Sequence, residues 1–450
     1  MKDRIDFAGM ALPQLFLKLL IPTVLGMVFS AAFVITDGIF VGKGIGSDGL
    51  AAVNITAPLF LINTGIGLMF GVGASIVASI HLARGKIRVA RINVTQAVVV
   101  SSLLLALLSA GVCLFAPQVA RLLGSSFRLL PLAVEYMYWF VPFLVFSALL
   151  SSGMFFIRLD GAPGYAMMCN VIPALINIGL DYIFIFRFGW GMMGAALATS
   201  LGYIVGAGMI IVYLSRKKHV LHFCRVDLRR KSLRLARQNV SYICRLGSSS
   251  FLCEAAIACM MFTGNYVFIR YLGEEGVAAF SIACYFFPII FMVYNAIGQS
   301  AQPILSYNFG IHDSKRVRSA FRLALGTAVV CGAVFLVVTA LFSSYIVGLF
   351  IETTSPAYGI AVSGLPLFAS GFVFFAVNMV SIGYFQSVEQ ARLALLVTVL
   401  RGFVFPVVCF LLLPLVWKVP GIWLAVPVAE LLAFGTVVTV YWNRHRLVRQ

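Results

Sequence analysis

Twelve long apolar stretches, separated by short charged loops, set what this chain can fold into. They run over roughly 14–41, 50–82, 92–118, 131–157, 164–186, 190–214, 241–269, 277–308, 319–350, 358–386, 393–416 and 420–442. About 20 apolar residues suffice to carry a helix across a bilayer, and the longer stretches fit helices that tilt or kink. Of the 450 residues, 61% are hydrophobic and 11% charged, against about 25% charged in a soluble protein. A single core stops growing near 250–300 residues. The apolar surplus therefore faces lipid.

The net charge of +18 does not make this a nucleic-acid binder, because the basic residues sit in clusters between apolar runs. Such clusters are orientation signals and contacts for anionic lipid. Twelve spans put both termini on one side. With the termini inside, 26 of the 33 Lys and Arg fall in cytoplasmic segments. Only Lys43, Arg121, Arg128, Arg187, Arg270 and Lys418 fall outside, and Arg401 lies within a span. The bias predicts a multi-pass protein of the plasma membrane with both termini cytoplasmic. The first twelve residues carry charges of both signs and do not read as a signal peptide. The nine cysteines are scattered without a CxxC, so neither a disulfide framework nor a metal site is expected.

The substantial polar stretch, 216–245, lies midway and is basic and partly amphipathic, as a linker helix on the cytoplasmic surface would be. It divides the chain into 1–215 and 246–450, and the two parts resemble each other. GLAAVNI at 49–55 matches GVAAFSI at 276–282, an offset of 227. The same offset pairs Lys43 with Arg270, Gly71 with Gly298, Ala74 with Ala301, Ser79 with Ser306, and GAALA at 194–198 with GIWLA at 421–425. The fold expected is an all-α polytopic membrane protein. Its twelve transmembrane helices form two parallel six-helix bundles, related by a pseudo-two-fold along the membrane normal, with a substrate path between them.

Ionisable groups inside a span mark function or internal pairing. Asp37, Asp181, Glu254, Glu430 and Arg401 qualify. Counted from the nearest turns, Asp37 in span 1, Asp181 in span 5 and Thr199 in span 6 share a depth in the outer half of the first bundle. Asn177 is one turn before Asp181, on the same face. Two carboxylates, an amide and a hydroxyl offer hard oxygen ligands, which suit Na+ and suit proton uptake equally. Binding a cation would relieve the repulsion of two close carboxylates, and Pro22 and Pro173 would let their helices bend. The same residues could instead simply hydrogen-bond neighbouring helices near the interface. In the second bundle, Glu254 and Arg401 share a depth in the inner half and could form a buried ion pair that Glu430 joins, with a structural lock as its plainest role.

Other polar residues are blander. His219 and His222 with Cys224 make a weak metal motif that reads better as solvated linker. Asp160, Glu352 and Glu389 fall in loops. The glycine clusters read as close helix packing. No HExxH or GxSxG occurs, which speaks against a membrane-embedded enzyme.

Residues 19–56, LLIPTVLGMVFSAAFVITDGIFVGKGIGSDGLAAVNIT, resemble the first span and following loop of the multidrug and toxic compound extrusion (MATE) family. NIGLDYIFIFRFGWGMMGAALATSLGY, 177–203, resembles the family's span 5–6 hairpin, and the likeness extends over nearly the whole chain. It implies two six-helix lobes and export of amphipathic, often cationic drugs by antiport with Na+ or H+, with no other cofactor. It places the cation site on Asp37, Asn177, Asp181 and Thr199, and matches Glu254 to a span 7 acid found in part of the family. Some members carry an acid in span 10; here that span reads FFAVNMVSIGYF, with Asn378 instead. The chain most resembles the bacterial subgroup that includes DNA-damage-inducible and staphylococcal efflux types. The partners implied are small amphipathic organic compounds and membrane lipids, with no need for more than a monomer. The alternative is a flippase of lipid-linked sugar precursors. That would demand a basic cavity, and Arg401 has acids near it.

Overall fold

The structure, a computed structural model, describes residues 5–225 and 229–447. Lys2, Arg4 and Arg449, counted in the charge balance, lie outside them. Among the described residues, nine helices are long and apolar enough to cross a membrane, and the bent pair Pro356–Ala369 and Phe372–Ser387 makes a tenth. Two of the nine are double. The helix Arg230–Gly310 breaks at Gly273, and Phe405–Leu447 breaks at Lys418. The ring of Phe268 stacks on that of Phe280 at 4.4 Å. Twelve residues of straight helix would separate them by about 18 Å, so the chain doubles back between them. Likewise a Cβ on Gly421 would meet the carbonyl of Leu413. Dividing both helices yields the twelve spans expected.

Spans 1 to 6 are Leu12–Gly44, Ser47–Ala83, Ile87–Leu114, Leu130–Leu159, Pro163–Arg187 and Gly191–Ser215. Spans 7 and 8 cover 230–272 and 274–310, and span 9 is Ser314–Leu341. Span 10 is the bent pair, and spans 11 and 12 cover 391–417 and 419–447. The duplication is written into these bounds. Span 9 begins and ends 227 residues after span 3, from 87 to 314 and from 114 to 341. The short helix after span 3, Ala116–Leu122, recurs after span 9 as Ser343–Gly348, again from 116 to 343.

The turns repeat as well, and they show what the second half lost. Gly46 (φ 100°) at the turn between spans 1 and 2 corresponds to Gly273 (φ 66°) between spans 7 and 8. Gly85, Gly161 and Gly191 also hold positive φ, and their counterparts are His312, Glu389 and Lys418, the three non-glycine residues with positive φ among the described residues. A Cβ in that region costs roughly 1–2 kcal/mol. The second half keeps the turns without the residue that makes them easy.

By its contacts the chain divides into two compact units, Met1–Phe251 with Ser306–Asp313, and Leu252–Leu305 with Ser314–Gln450. The first therefore includes the beginning of span 7. That helix lies antiparallel against span 2, because glycines remove the side chains between them: a Cβ on Gly73 would strike the Ile243 carbonyl, and one on Gly247 the Met69 carbonyl.

The basic linker is not one surface helix. Residues 216–225 lack regular structure and form a strap, and the helix starting at Arg230 is the beginning of span 7. The strap is held on the first unit. Asp160 accepts from the Leu221 amide and the Tyr213 hydroxyl, both at 2.7 Å. Arg91 donates to the Val220 carbonyl at 2.8 Å, and the Cys224 amide to Thr95 Oγ1 at 3.2 Å. His219 stacks on Tyr213 and lies 3.4 Å from Asp160. Burial holds its imidazole below the ordinary value, against the pull of Asp160. Asp160 and His219, which read as loop residues in the sequence, thus clasp the strap.

Candidate functional site

In the first unit, three of the four polar residues singled out in the sequence sit one helical turn from a core residue. Asp37 precedes buried Val41, Asp181 precedes buried Ile185, and Thr199 follows buried Ala195. Residues four apart share a helix face, so packing of the core aims the polar groups at one place. The approach of spans 5 and 6 depends on Gly202, where a Cβ would lie 3.2 Å from the Pro173 carbonyl and 3.4 Å from Asn177 Cβ. Pro173, kept within span 5, lacks the N–H that would bond the Cys169 carbonyl one turn earlier. Asp181 is the last residue before a π-helical turn, Tyr182–Arg187, the kind of irregularity that recurs at functional sites.

These elements bring Asp37, Asn177, Asp181 and Thr199 together. The Asp37 carboxyl faces Asp181 and Thr199, and Asp181 faces Asn177. Asn177 Nδ2 lies 3.4 Å from Thr199 Oγ1, which donates to the Ala195 carbonyl at 3.1 Å. Asn177, Asp181 and Thr199 are buried and Asp37 is half-buried. The polar inventory is one-sided. Asp37 Oδ1, Asn177 Oδ1 and both carboxylate oxygens of Asp181 are buried and close no hydrogen bond with the described residues. All four are acceptors. Such an orphan costs about 1–3 kcal/mol, so a cluster of them marks a place made for something that donates or is positively charged. Groups of three or more His, Cys, Asp and Glu close enough to hold a metal are absent among the described residues. An oxygen set of two carboxylates, an amide and a hydroxyl is suited to a hard monovalent cation or a proton, not to a transition metal.

Two residues escaped the sequence reading. Tyr136 in span 4 has its hydroxyl near Thr199 and within electrostatic reach of Asp37 and Asp181. Tyr203 in span 6 has its hydroxyl near Ser147 and within electrostatic reach of Asp37. Both belong to an aromatic group with Phe60 and Phe140: Tyr203 stacks on Phe60 at 6.3 Å and Tyr136 lies 5.1 Å from Phe140. In sequence they look like core aromatics. The available signal was a hydroxyl one turn before the core residue Phe140, which is weak.

The second unit contains a buried ion pair, in a different state from the oxygen cluster. Arg401 Nε donates to both Glu430 oxygens, at 2.8 and 2.9 Å. Asn378 Nδ2 donates to Glu430 Oε2 at 2.8 Å and to its carbonyl at 2.9 Å. The guanidinium lies 4.4 Å over the Phe375 ring, and Nη1 lies 3.3 Å from Met379 Sδ. Arg401 itself stands in a π-helical turn, Leu400–Val404. The pair expected of Arg401 with Glu254 is not formed. Glu430 takes the arginine, and Glu254 is half-buried with no ion pair or hydrogen bond among the described residues. Equal depth gave no information on azimuth, which is why the sequence could not choose between the two acids. Asn378, noted in the sequence for standing where an acid could, proves to be what ties span 10 to Glu430.

The profile of the MatE family matches the chain twice, over residues 22–183 and 250–411. The two segments are related by a shift of 228 residues, from 22 to 250 and from 183 to 411, within one residue of the repeat in the sequence. The multidrug export protein MepA of Staphylococcus aureus (strain MRSA252) is 26% identical over 442 residues, covering 95% of this chain and 93% of that protein. MepA of Staphylococcus saprophyticus is 24% identical over 431 residues, with the same coverage. Among solved structures, an outward-facing multidrug resistance MATE family transporter of the MOP superfamily superposes with a TM-score of 0.90 at 23% identity, covering 100% of this chain and 98% of that one. A MOP superfamily transporter from Pyrococcus furiosus superposes with a TM-score of 0.86, also at 23% identity, covering 98% and 97%.

Proposed function

Because the chain belongs to the MatE family, we propose that it is a multidrug exporter, driven by antiport of Na+ or H+ through the oxygen cluster of its first unit. It is a multi-pass membrane protein, and its similarity to staphylococcal multidrug export proteins over nearly their full length supports amphipathic, often cationic organic compounds as substrates. The bias of basic residues toward one set of loops supports a bacterial plasma-membrane location with both termini cytoplasmic.

The observation that carries the coupling site is the set of four buried acceptor oxygens with no donor among the described residues, on Asp37, Asn177 and Asp181. A cation entering there compensates two facing carboxylates that cannot both be ionised cheaply in a low dielectric. Thr199, whose proton goes to the Ala195 carbonyl, offers its oxygen as a further neutral ligand, with the Tyr136 hydroxyl beside it. Entry of the cation draws Asp37 toward Asp181. Span 1 can follow because Pro22 interrupts its hydrogen bonds, and bound substrate is released as the helix moves. Departure of the cation on the other side resets the cluster. Arg401 is committed to Glu430, which counts against a lipid-pyrophosphate flippase, since that cargo would require an uncommitted basic cavity.

The test is efflux of a fluorescent lipophilic cation from liposomes under an imposed Na+ gradient and then an imposed H+ gradient. Wild type is expected to respond to one of them, and Asp37→Asn and Asp181→Asn to neither. Flux that ignores both gradients and both substitutions would overturn the antiport reading.

A further inference from the structure

The strap and the start of span 7 form a charged surface that the transport cycle as proposed does not use. Both hang on the first turns of span 3. Arg91 holds the Val220 carbonyl, Thr95 the Cys224 amide, and Gln96 accepts from Asn239 Nδ2 at 2.6 Å. The last contact fixes the azimuth of the helix at 230–243: Ser232, Ala236, Asn239, Val240 and Ile243 face inward and are at least partly covered. The opposite face carries Arg234 and Arg237, exposed, and its two flanks carry Leu233 and Leu235, which are 49% and 59% exposed and, two residues apart, point to different sides. Lys217 and Lys218 on the strap, and Lys86 and Arg88 at the start of span 3, are also exposed. None of these six cations is paired among the described residues. The stretch 216–245 holds ten basic residues and a single acid, Asp227.

The depth of this surface follows from helix register. Gly73 opposes Ile243 and Met69 opposes Gly247, so spans 2 and 7 run antiparallel residue for residue. Counting ten residues on from the first pair sets 233 level with Ala83, the last residue of span 2. The exposed leucines therefore lie at the height of the Arg84–Lys86 turn, where the apolar spans give way to charge. Unpaired cations flanking exposed leucines at that height fit one partner, the headgroup layer of an anionic leaflet, with the leucines at the acyl boundary and the basic groups on phosphates. A nucleic acid would gain nothing from the leucines.

We propose that the strap and the first turns of spans 3 and 7 form a binding surface for anionic phospholipid. The lipid bridges the strap to span 7, the two pieces of chain that join one repeat to the next. This goes beyond the exporter reading and does not depend on it, because lipid is measured directly.

The experiment uses the full chain in phosphatidylcholine nanodiscs with a minor fraction of spin-labelled phosphatidylglycerol, and reads the preference for the anionic lipid in the motionally restricted shell. Wild type is compared with Lys217→Gln/Lys218→Gln/Arg234→Gln/Arg237→Gln. The control, Lys43→Gln/Arg121→Gln/Arg187→Gln/Arg270→Gln, removes the same charge from the other membrane end. The preference is expected to fall about tenfold or more in the first variant and to stay within about twofold in the control, with the difference screened out near 1 M salt. Leu233→Ser/Leu235→Ser, which leaves every charge in place, is expected to weaken it several-fold. An equal loss in the control, or an unchanged preference in the first variant, would overturn the proposal. Inorganic phosphate is expected not to compete; if it abolished the preference, the surface would be a phosphate site and not a lipid one.

Discussion

The two halves of this chain share a sequence ancestor and bury charge in opposite ways. In the first, Asp37, Asp181 and Asn177 present acceptor oxygens with nothing to accept from. In the second, Glu430 is met by Arg401 on both oxygens and by Asn378 as well. Each cluster adjoins a π-helical turn, in span 5 and in span 11, but the two turns are about nine residues out of register in the repeat, so the halves differ in where the backbone departs from the α-helix as well as in the side chains it carries. A buried charge whose partner is covalently part of the chain is a fastening. A buried charge whose partner is missing waits for a mobile one. The two clusters stand at different places in the repeat: Glu430 is fastened to Arg401, while the acceptor oxygens of the first unit have no partner among the described residues.

The sharpest way to break this contrast is to neutralise each side. Asp181→Asn is expected to abolish gradient-driven efflux. The fold is expected to be unharmed or stabilised by about 1–3 kcal/mol, because an uncompensated buried group has been removed; thermal unfolding in detergent checks that. Arg401→Met should do the reverse. Stranding Glu430 costs roughly 3–5 kcal/mol, visible as a large drop in melting temperature, while the correctly folded fraction stays coupled. Adding Glu430→Leu should recover most of that loss, since two apolar residues can replace a buried pair.

Smaller effects refine the picture. Asn177→Ala and Tyr136→Phe each remove one polar contact and spare the carboxylates. The concentration of driving cation needed for half-maximal efflux is expected to rise by roughly five- to tenfold, about 1–1.5 kcal/mol, with coupling intact. At the small end, Glu389→Gly and Lys418→Gly restore the residue that the first half uses at these turns, and each is expected to stabilise by about 1 kcal/mol, measured by the same unfolding assay. Gly161→Ala and Gly191→Ala should cost a similar amount.

Much of this architecture was legible because lipid imposes a length rule that few sequences satisfy by accident. The twelve stretches lie within the observed spans or close to them, and the repeat predicted from a handful of matches reappears in helix ends and in left-handed turns. Depth could also be counted along a helix, which is why Asp37, Asn177, Asp181 and Thr199 were found together. Azimuth could not. Glu254 and Glu430 were both within reach of Arg401 by depth, and packing of spans 10, 11 and 12 selected Glu430. Tyr136 was hidden for another reason: an aromatic hydroxyl in a span reads as core until a neighbouring helix presents Thr199. The strap at 216–225 was missed because its order comes from Asp160, Arg91 and Thr95, residues distant in sequence.

The central claim is that the first unit's unmatched oxygens are the port for the coupling cation and the second unit's pair is not. It is tested most directly by calorimetric titration of the purified protein with Na+, and separately with acid, comparing wild type, Asp181→Asn and Arg401→Met/Glu430→Leu. Saturable cation binding should survive in the last variant and vanish in Asp181→Asn. Binding that survives in Asp181→Asn and is lost when Arg401 and Glu430 are replaced would contradict it.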